Sequence, residues 1–420
     1  MADRDGDVTR DGDLPKRTDV LIVGAGPTGL SLACGLARRG VDHVVIDHAP
    51  QVAANSQSTV VDGRTLEALE SIEASDALIR RGVMISRFTL CDRDEELFAV
   101  DFSELPIRHP YLLMVPESSA EGVLSERFAC YGSSVLRPVT AVALKQDADA
   151  VTVELWDGRT SQPGSPARRS ISARYVVGCD GMHSQIRSAL DIPFVRSART
   201  DSFIMADVRM RYALPRRDVQ LFFSPQGILV VAPLPDDRYR ILAGVEHADE
   251  HPDADTLRSI LANRGPQASP AFIHDLVWSA GIRVDHGLAM HYRSGRVFLA
   301  GDAAHVHSPA GGQGMNAGIQ DALLLANTLS DVIAERVDDV VLKEYEQSRR
   351  PVAESVIRLT RRLSGIATME RHWQSRIRNR ALRVLSHWPP IRQGLAYRLA
   401  GYPDGVTVPA LTSAQPSRPG

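Results

Sequence analysis

The stretch TDVLIVGAGPTG at residues 18–29 decides the fold, together with HVVID at residues 43–47. A short apolar run that ends in glycines is typical of a strand buried on both faces of a parallel sheet. Pro27 suits the first turn of a helix, because the N–H that proline lacks would have no partner there. The pattern predicts a β-α-β unit whose right-handed crossover belongs to an open, mostly parallel sheet.

The turn between this strand and helix has the spacing GxGxxG, and an acidic residue ends the second strand. Such glycines allow a tight turn and let a pyrophosphate approach the helix N-terminus, while the acid accepts hydrogen bonds from ribose hydroxyls. The spacing therefore predicts a site for a dinucleotide, either NAD(P) or FAD. The predicted cofactor residues of this unit are Gly24, Gly26, Pro27, Thr28, Gly29 and Asp47.

Length and composition narrow the class of protein. A chain of 420 residues exceeds what one compact core usually holds, so two lobes are expected. The net charge of -3 provides no positive field for a phosphate backbone, so we expect a small-molecule partner and no nucleic acid. The four cysteines form no CxxC pair, and no uninterrupted apolar run is long enough to span a bilayer. A cytoplasmic protein without export signal or transmembrane segment is predicted.

Further along the chain, the pattern changes twice. Alternating polar and apolar residues at 87–101 and 202–246, broken by turns such as SPQG at 224–227, predict antiparallel sheet. Apolar strands of the first type return at 170–179 and 296–300. Helices are predicted at 118–131 and 316–334.

Two segments that follow apolar strands, DGMHSQIR at 180–187 and GDAAH at 301–305, stand in order behind the glycine-rich turn. Together the three segments resemble the motifs of class A flavoprotein monooxygenases, the para-hydroxybenzoate hydroxylase-like family. The resemblance covers roughly residues 18–363. It is reinforced by RTLE at 64–67, YLLMVP at 111–116, FSPQG at 223–227 and PAGGQGMN at 309–316, and the last of these segments are most similar to hydroxylases of aromatic polyketides and tetracycline-type compounds.

The resemblance implies an α/β fold with a Rossmann-like FAD-binding domain, a mostly antiparallel β-sheet substrate domain and C-terminal helices. The FAD-binding domain is predicted to be discontinuous, at residues 18–83, 112–200 and 288–365. The substrate domain is predicted at 84–111 and 201–287, the C-terminal helices at 366–405, and disordered tails at 1–17 and 406–420.

By this resemblance, Asp47 binds the adenosine ribose of an extended FAD and Asp302 binds its ribityl chain. Pro309 and Gly311 lie beside the reacting oxygen, and backbone N–H groups of the glycine-rich run face the flavin. Asp180 and Arg187 have cofactor roles in the family, yet a helix cap and a structural ion pair explain them equally well. The other predicted cofactor residues are Gly312, Gly314, Met315 and Asn316.

Two positions depart from the family. Gln57 stands where relatives usually have arginine, and Glu117 where they usually have glutamine. Losing a cation and adding a carboxylate should weaken a site for a dianionic pyrophosphate, so looser FAD binding or altered nicotinamide access is expected.

The implied activity is an FAD-dependent hydroxylation of an aromatic or polyketide-type molecule by O₂, through a flavin C4a-hydroperoxide. NADPH or NADH acts as a transient cosubstrate, since the chain has no second GxGxxG. Two alternatives are kept: Baeyer-Villiger oxygen insertion into a polyketide, and a catalytically eroded flavin fold that sequesters a small molecule. The oligomeric state is open, with a homodimer as one option.

Histidines and aromatic residues are predicted to be mainly structural. His305 and His307 have i, i+2 spacing that does not place two ligands on one helical face, so no metal site is expected. Phe203, Phe222, Phe223 and Trp278 are expected in the core, with substrate stacking as the weaker alternative.

Overall fold

The computed structural model describes residues 14–51, 60–160, 167–213, 215–308, 312–367 and 372–402. Among the predicted site residues, Gln57, Pro309 and Gly311 lie outside these ranges. So do most of the two predicted tails and residues 161–166.

The strands follow the predicted change of pattern along the chain. They are β1 (Arg17–Val23), β2 (His43–Ile46), β3 (Val60–Val61), β4 (Val83–Ile85), β5 (Arg87–Asp92), β6 (Glu95–Asp101), β7 (Leu112–Met114), β8 (Val135–Leu136), β9 (Val139–Gln146), β10 (Val151–Asp157), β11 (Ala167–Gly178), β12 (Phe194–Arg211), β13 (Asp218–Phe222), β14 (Leu229–Pro233), β15 (Arg238–Val245), β16 (Phe272–Ala289), β17 (Arg293–Ser294), β18 (Val297–Leu299) and β19 (His305–Val306).

The helices lie between these strands and after them. They are α1 (Pro27–Arg38), α2 (Gly63–Glu70), α3 (Ser75–Arg81), α4 (Glu117–Cys130), α5 (Gln185–Ala189), α6 (Ala254–Arg264), α7 (Gly314–Ile333), α8 (Lys343–Ala367), α9 (His372–Ser386) and α10 (Pro389–Leu399). Within the described ranges, no helix combines the length and the apolar character that crossing a membrane requires.

The first sheet has the strand order β17-β18-β11-β1-β2-β8, and β10 and β9 extend it from β11. The neighbours β18, β11, β1, β2 and β8 run parallel, and β1 pairs residue by residue with β2 and β11. Val20, Leu21 and Ile22 of β1 are completely buried, which explains the continuous apolar run. The predicted β-α-β unit is confirmed.

The second sheet has the order β19-β16-β12-β15-β14-β13-β5-β6 and is antiparallel except for the β13–β5 pair. Its strand β12 begins at Phe194, ahead of the predicted domain boundary at residue 201, and β16 extends to Ala289, past residue 287. These two long strands of the second sheet therefore each cross a predicted boundary between the two domains. The α/β class with a mostly antiparallel second sheet and C-terminal helices is confirmed.

A buried charged cluster connects helices α7 and α8 to the segment that follows β18 at the edge of the first sheet. Asp321 of α7 accepts hydrogen bonds from Arg349 of α8, from His305 at 2.6 Å and from the backbone N–H of Gly301 at 3.2 Å. Burial alone would raise the pKa of Asp321, but Arg349 and then His305 outweigh it and hold this pKa at about 2. The carboxylate is therefore ionised and fully partnered at neutral pH.

Replacing Arg349 with methionine should leave the Asp321 carboxylate without its permanent counter-ion in a buried position. We expect the free energy of unfolding, measured by urea denaturation, to fall by about 3–5 kcal/mol. The matched control is Arg336→Met, which breaks the exposed ion pair with Asp331 at the end of the same helix and should cost less than about 0.5 kcal/mol. Equal losses in the two variants would contradict the role given to Asp321.

Candidate functional site

The carboxyl ends of four neighbouring parallel strands meet at one edge of the first sheet. The Cys179 N–H donates to the Val23 carbonyl at 2.7 Å, the Ala300 N–H to the Gly178 carbonyl at 3.0 Å and the Gly24 N–H to the Ile46 carbonyl at 2.8 Å. These bonds place the glycine-rich turn, the DG segment, the GD segment and the end of β2 side by side. Ligands of open α/β sheets bind at this edge.

The three glycines of the turn are needed for different reasons. Gly24 has φ +102°, and a Cβ there would collide with the Cys179 carbonyl oxygen. A Cβ on Gly29 would collide with the Gly24 carbonyl oxygen. A Cβ on Gly26, by contrast, would meet nothing closer than the Glu121 Oε1 atom at 3.7 Å. Gly26 therefore leaves open space, as a turn that admits a ligand requires.

The N-terminus of α1 faces this space without a side-chain cap. Its N-cap residue is Gly26, Pro27 follows in the first turn, and no acidic side chain lies in that turn. Gly26, Pro27 and Thr28 all line the large cavity of the molecule. Uncapped N–H groups and the positive end of the helix dipole form a site suited to a phosphate group.

Asp47 follows β2 and is held in place by the turn that it faces. Its Oδ2 accepts from the Ala25 N–H at 2.7 Å, and its Oδ1 accepts from the Ala49 N–H at 2.8 Å. Arg137 lies 3.1 Å from Oδ1. The carboxylate is thereby oriented at the edge of the sheet, where it was predicted to bind a ribose.

Asp302 lies at the opposite side of the glycine-rich turn. Its side chain is exposed to the cavity, and desolvation by the protein atoms around it raises the pKa of the carboxyl to about 6. A Cβ on Gly301 would lie 2.5 Å from the Thr28 Oγ1 atom. The GD segment therefore packs directly on the first turn of α1.

Asp180 and Arg187 make contacts that explain both residues structurally. The Asp180 carboxylate accepts from Ser184 Oγ at 2.6 Å and from the Gln185 N–H at 2.7 Å, so it caps α5. Arg187 donates to the carbonyl oxygens of Ala303 and Met182, each at 2.8 Å. Arg187 thus joins the DG and GD segments through hydrogen bonds to carbonyl oxygens rather than through an ion pair.

The loop before α7 and the first turn of this helix contain residues that line the cavity and one residue that is buried in the protein. Gly312, Gly314 and Met315 line the cavity, and Gly312 has φ +61°. Asn316 is completely buried: its amide nitrogen donates to the carbonyls of Val60 and Gly312, and its Oδ1 accepts from the Asp62 N–H at 3.0 Å. Asn316 thus joins the loop to α2 through protein contacts.

A cavity of about 500 Å³ extends from the glycine-rich turn to one face of the second sheet. Side chains from β5, β13, β14, β15 and β16 and from α10 form its far wall, and that wall is mainly apolar. The wall residues include Phe88, Leu90, Val219, Leu221, Phe223, Val230, Ala232, Leu242, Ile282, Leu395 and Leu399.

Phe203, Phe222 and Trp278, for which substrate stacking was the weaker alternative, are not among the lining residues of this cavity. Phe222 is completely buried in the hydrophobic cluster on the other face of the sheet, because successive side chains of a strand point to opposite faces. Phe203 and Trp278 pack in the cluster that also contains the wall residues of the cavity. Phe88 and Phe223 line the cavity instead.

Two carboxylates stand one helical turn apart beside the glycine-rich turn. Glu117 and Glu121 of α4 both line the cavity. Burial, followed by the charge of Glu117, raises the pKa of Glu121 to about 7, while Arg137 opposes the shift. Glu121, which the sequence pattern did not single out, thus adds a second carboxylate beside the turn, and the weakening of an anion site by Glu117 stays a prediction.

The two histidines of the GD segment form a chain behind the cavity. His305 contacts Asp321 at 2.6 Å and His307 at 3.1 Å, and His307 also lines the cavity. Among the described residues, no group of three or more histidine, cysteine or acidic side chains could hold a metal ion. Asp321 and Arg349, which hold this segment, escaped sequence reasoning because no motif marks them.

Comparison with known proteins places the chain among flavoproteins. The FAD binding domain family matches residues 17–360. The chain is 35% identical to 6-methylpretetramide 4-monooxygenase of Streptomyces rimosus over 83% of its own length and 62% of that enzyme's length. It is also 35% identical to 12-dehydrotetracycline 5-monooxygenase/anhydrotetracycline 6-monooxygenase of Streptomyces rimosus subsp. rimosus, over 82% and 69% of the respective lengths.

Among solved structures, the chain is similar to OxyS anhydrotetracycline hydroxylase from Streptomyces rimosus, with 32% identity and a TM-score of 0.75. That match covers 92% of this chain and 77% of the other. The chain thus spans between about three fifths and about three quarters of the relatives named here. The uncapped α1, the open space at Gly26 and the flanking Asp47 and Asp302 fit the FAD that the family binds.

We predict that Gly26→Val weakens FAD binding without unfolding the protein, whereas Gly24→Ala reduces the amount of folded protein. Valine at 26 fills free space, so thermal unfolding should stay near that of the parent protein while FAD affinity, measured by fluorescence titration, drops at least about 10-fold. Alanine at 24 meets a backbone carbonyl at positive φ and should reduce folded protein. Normal FAD affinity in folded Gly26→Val would refute the placement of the cofactor.

We also predict that FAD binding weakens as pH rises through 7. Glu121 is protonated below its pKa of about 7 and charged above it, so a dianionic pyrophosphate is bound best on the acid side, with a loss of up to about 10-fold by pH 8. The dissociation constant measured at pH 6, 7 and 8 should lose this slope in Glu121→Gln. Glu126→Gln, on the exposed side of α4 and paired with Arg81, should keep it.

Proposed function

The chain belongs to the FAD-binding-domain family of class A flavoprotein monooxygenases, and from this premise we propose that it hydroxylates an aromatic or polyketide-type small molecule at the expense of NAD(P)H and O₂. The observation that carries the proposal is that one cavity extends from the glycine-rich turn and Asp302 to a mainly apolar wall. A cofactor at the turn would lie next to an organic substrate at the wall.

In this proposal the carboxyl edge of the first sheet holds the cofactor and the second sheet holds the substrate. The turn at Gly26 would bind the pyrophosphate, Asp47 the adenosine ribose and Asp302 the ribityl chain. FAD bound there supplies the redox chemistry, in which NAD(P)H, a proton, O₂ and the substrate give NAD(P)⁺, water and the hydroxylated product. The predicted roles of Pro309 and Gly311 remain part of the proposal.

The protein itself contributes shielding and electrostatics. The wall formed by the second sheet and α10 is mainly apolar and would shield reactive intermediates from water. Gly312 lies before α7 and Gly314 is the first residue of this helix. Both glycines line the cavity, so the positive end of α7 faces it and would stabilise negative charge on a reduced cofactor. NAD(P)H would visit the protein transiently.

The character of the cavity wall supports a substrate class. The wall at the second sheet is mainly apolar, which suits a fused-ring molecule. Tetracycline-type compounds, named for the relatives, are fused-ring molecules, which supports a polycyclic aromatic or polyketide substrate.

Oxygen labelling tests this function. With FAD, NADPH or NADH and candidate phenolic polyketides, we expect substrate-stimulated oxidation of the nicotinamide and a product that carries one atom from ¹⁸O₂, detected by mass spectrometry. A product with oxygen inserted next to a ketone would indicate the Baeyer-Villiger reaction. Tight binding of the polyketide with neither nicotinamide oxidation nor label would instead identify a sequestering protein, and the proposed activity would be wrong.

A further inference from the structure

A buried ion pair lies on the cavity side of the second sheet. Arg240 of β15 stands opposite Asp207 of β12 in the antiparallel register. The Arg240 Nε and Nη2 atoms donate to the two carboxylate oxygens of Asp207, the second at 3.0 Å. Arg240 is 4% exposed and Asp207 is 7% exposed. The two-point contact orients the guanidinium group rigidly.

The surroundings of Arg240 are apolar. Its neighbours on the same sheet face include Ala232 and Leu242, which line the cavity together with Arg240. The lining carboxylates Glu117 and Glu121 of α4 and Asp302 of the GD segment lie at the other end, beside the glycine-rich turn. Two cations line the end at the second sheet: Arg240, which is buried, and Arg283 of β16, which is exposed. A few placed polar groups orient ligands in apolar pockets, and Arg240 is the buried one of these two.

The guanidinium group of Arg240 has more N–H donors than the contacts with the described residues use. Of its five N–H groups, two are used by Asp207 and one points to the Met205 sulfur atom at 3.2 Å. The remaining two N–H groups have no partner among the described residues. The Trp278 ring lies 5.7 Å from the guanidinium carbon and limits where the group can turn. A buried donor without a partner is unfavourable, so a ligand acceptor at this place would be favoured.

We propose that Arg240 is the substrate-binding residue that recognises a neutral oxygen acceptor, a ring carbonyl or a phenolic oxygen, on a fused-ring molecule in the cavity. Asp207 acts as the positioning residue that orients the guanidinium group. The inference deepens the proposed function, on which it rests, by stating which polar feature the substrate carries at the end of the cavity away from Asp302.

The charge of the pair decides between a neutral and an anionic acceptor. Asp207 already neutralises Arg240, so the pair has no net charge to offer to a carboxylate. A ligand carboxylate would have to lose its hydration and would lie close to the Asp207 carboxylate in a region of low dielectric constant. A carbonyl or phenolic oxygen accepts the same hydrogen bonds without this penalty.

The test compares two three-ring ligands, xanthone and xanthene, which differ by the ring carbonyl. Their dissociation constants are measured by equilibrium dialysis against the full-length protein supplied with FAD, without NAD(P)H. We expect xanthone to bind about 10- to 100-fold more tightly than xanthene, the range for a hydrogen bond from a charged donor. Xanthene-9-carboxylate should bind no better than xanthene.

The principal variant is Arg240→Leu combined with Asp207→Leu, because removing a buried pair as a whole is tolerated far better than removing one partner. It should bind xanthene as the parent protein does and lose the preference for xanthone. Arg240→Lys keeps the charge balance with Asp207 but not the fork of donors, and should reduce the preference at least several-fold. The control Arg209→Leu with Asp275→Leu removes an exposed pair on the same sheet and should keep the preference.

Three outcomes would overturn the inference: equal binding of xanthone and xanthene by the parent protein, an undiminished preference in both Arg240 variants, or tightest binding of the carboxylate. Failure of the proposed function looks different. If the protein prefers xanthone through Arg240 but consumes no NAD(P)H, the binding inference holds and the oxygenase proposal is wrong. If it oxidises NAD(P)H and labels a product but shows no preference through Arg240, the oxygenase proposal holds and the binding inference is wrong.

Discussion

The hydrogen-bond register of four parallel strands is the constraint on which the rest of the structure depends. Because β18, β11, β1 and β2 end at the same level, three motifs that are far apart in sequence meet at one sheet edge. The close approach of Thr28 to Gly301 and Gly318 then leaves no room for a side chain at either glycine. Backbone pairing, rather than contact between the motif side chains, creates the cofactor site.

The cavity is electrostatically divided, and the division matches the two kinds of molecule that it is proposed to hold. The end near the glycine-rich turn has the uncapped helix α1, Asp302 and the carboxylates Glu117 and Glu121, and burial raises the pKa of Glu121 to about 7. The end against the second sheet is mainly apolar, and its two cations are Arg240, whose charge Asp207 cancels, and the exposed Arg283. The organic substrate would lie against this apolar wall.

Much of the site could be predicted because its glycines and aspartates follow strands with clear patterns. Gly24, Gly26, Asp47 and Asp302 lie together at the predicted edge. For others the structure shows contacts with protein atoms: Asp180 caps α5, as one of its two interpretations expected, Arg187 donates to carbonyl groups, and the Asn316 amide donates to backbone carbonyls. Of two consecutive phenylalanines, Phe223 lines the cavity and Phe222 does not, because a shift of one residue along a strand reverses the face.

The sequence by itself determined the class of fold, the family and the position of the glycine-rich turn, since these depend on local periodicity and on short motifs read along the chain. Tertiary structure alone decided which side chains from distant segments become partners. Arg349 with Asp321 and Arg240 with Asp207 are separated in sequence by intervening elements, and no local pattern encodes their meeting. Their pairing arises from strand register and helix packing, which only the whole folded chain specifies.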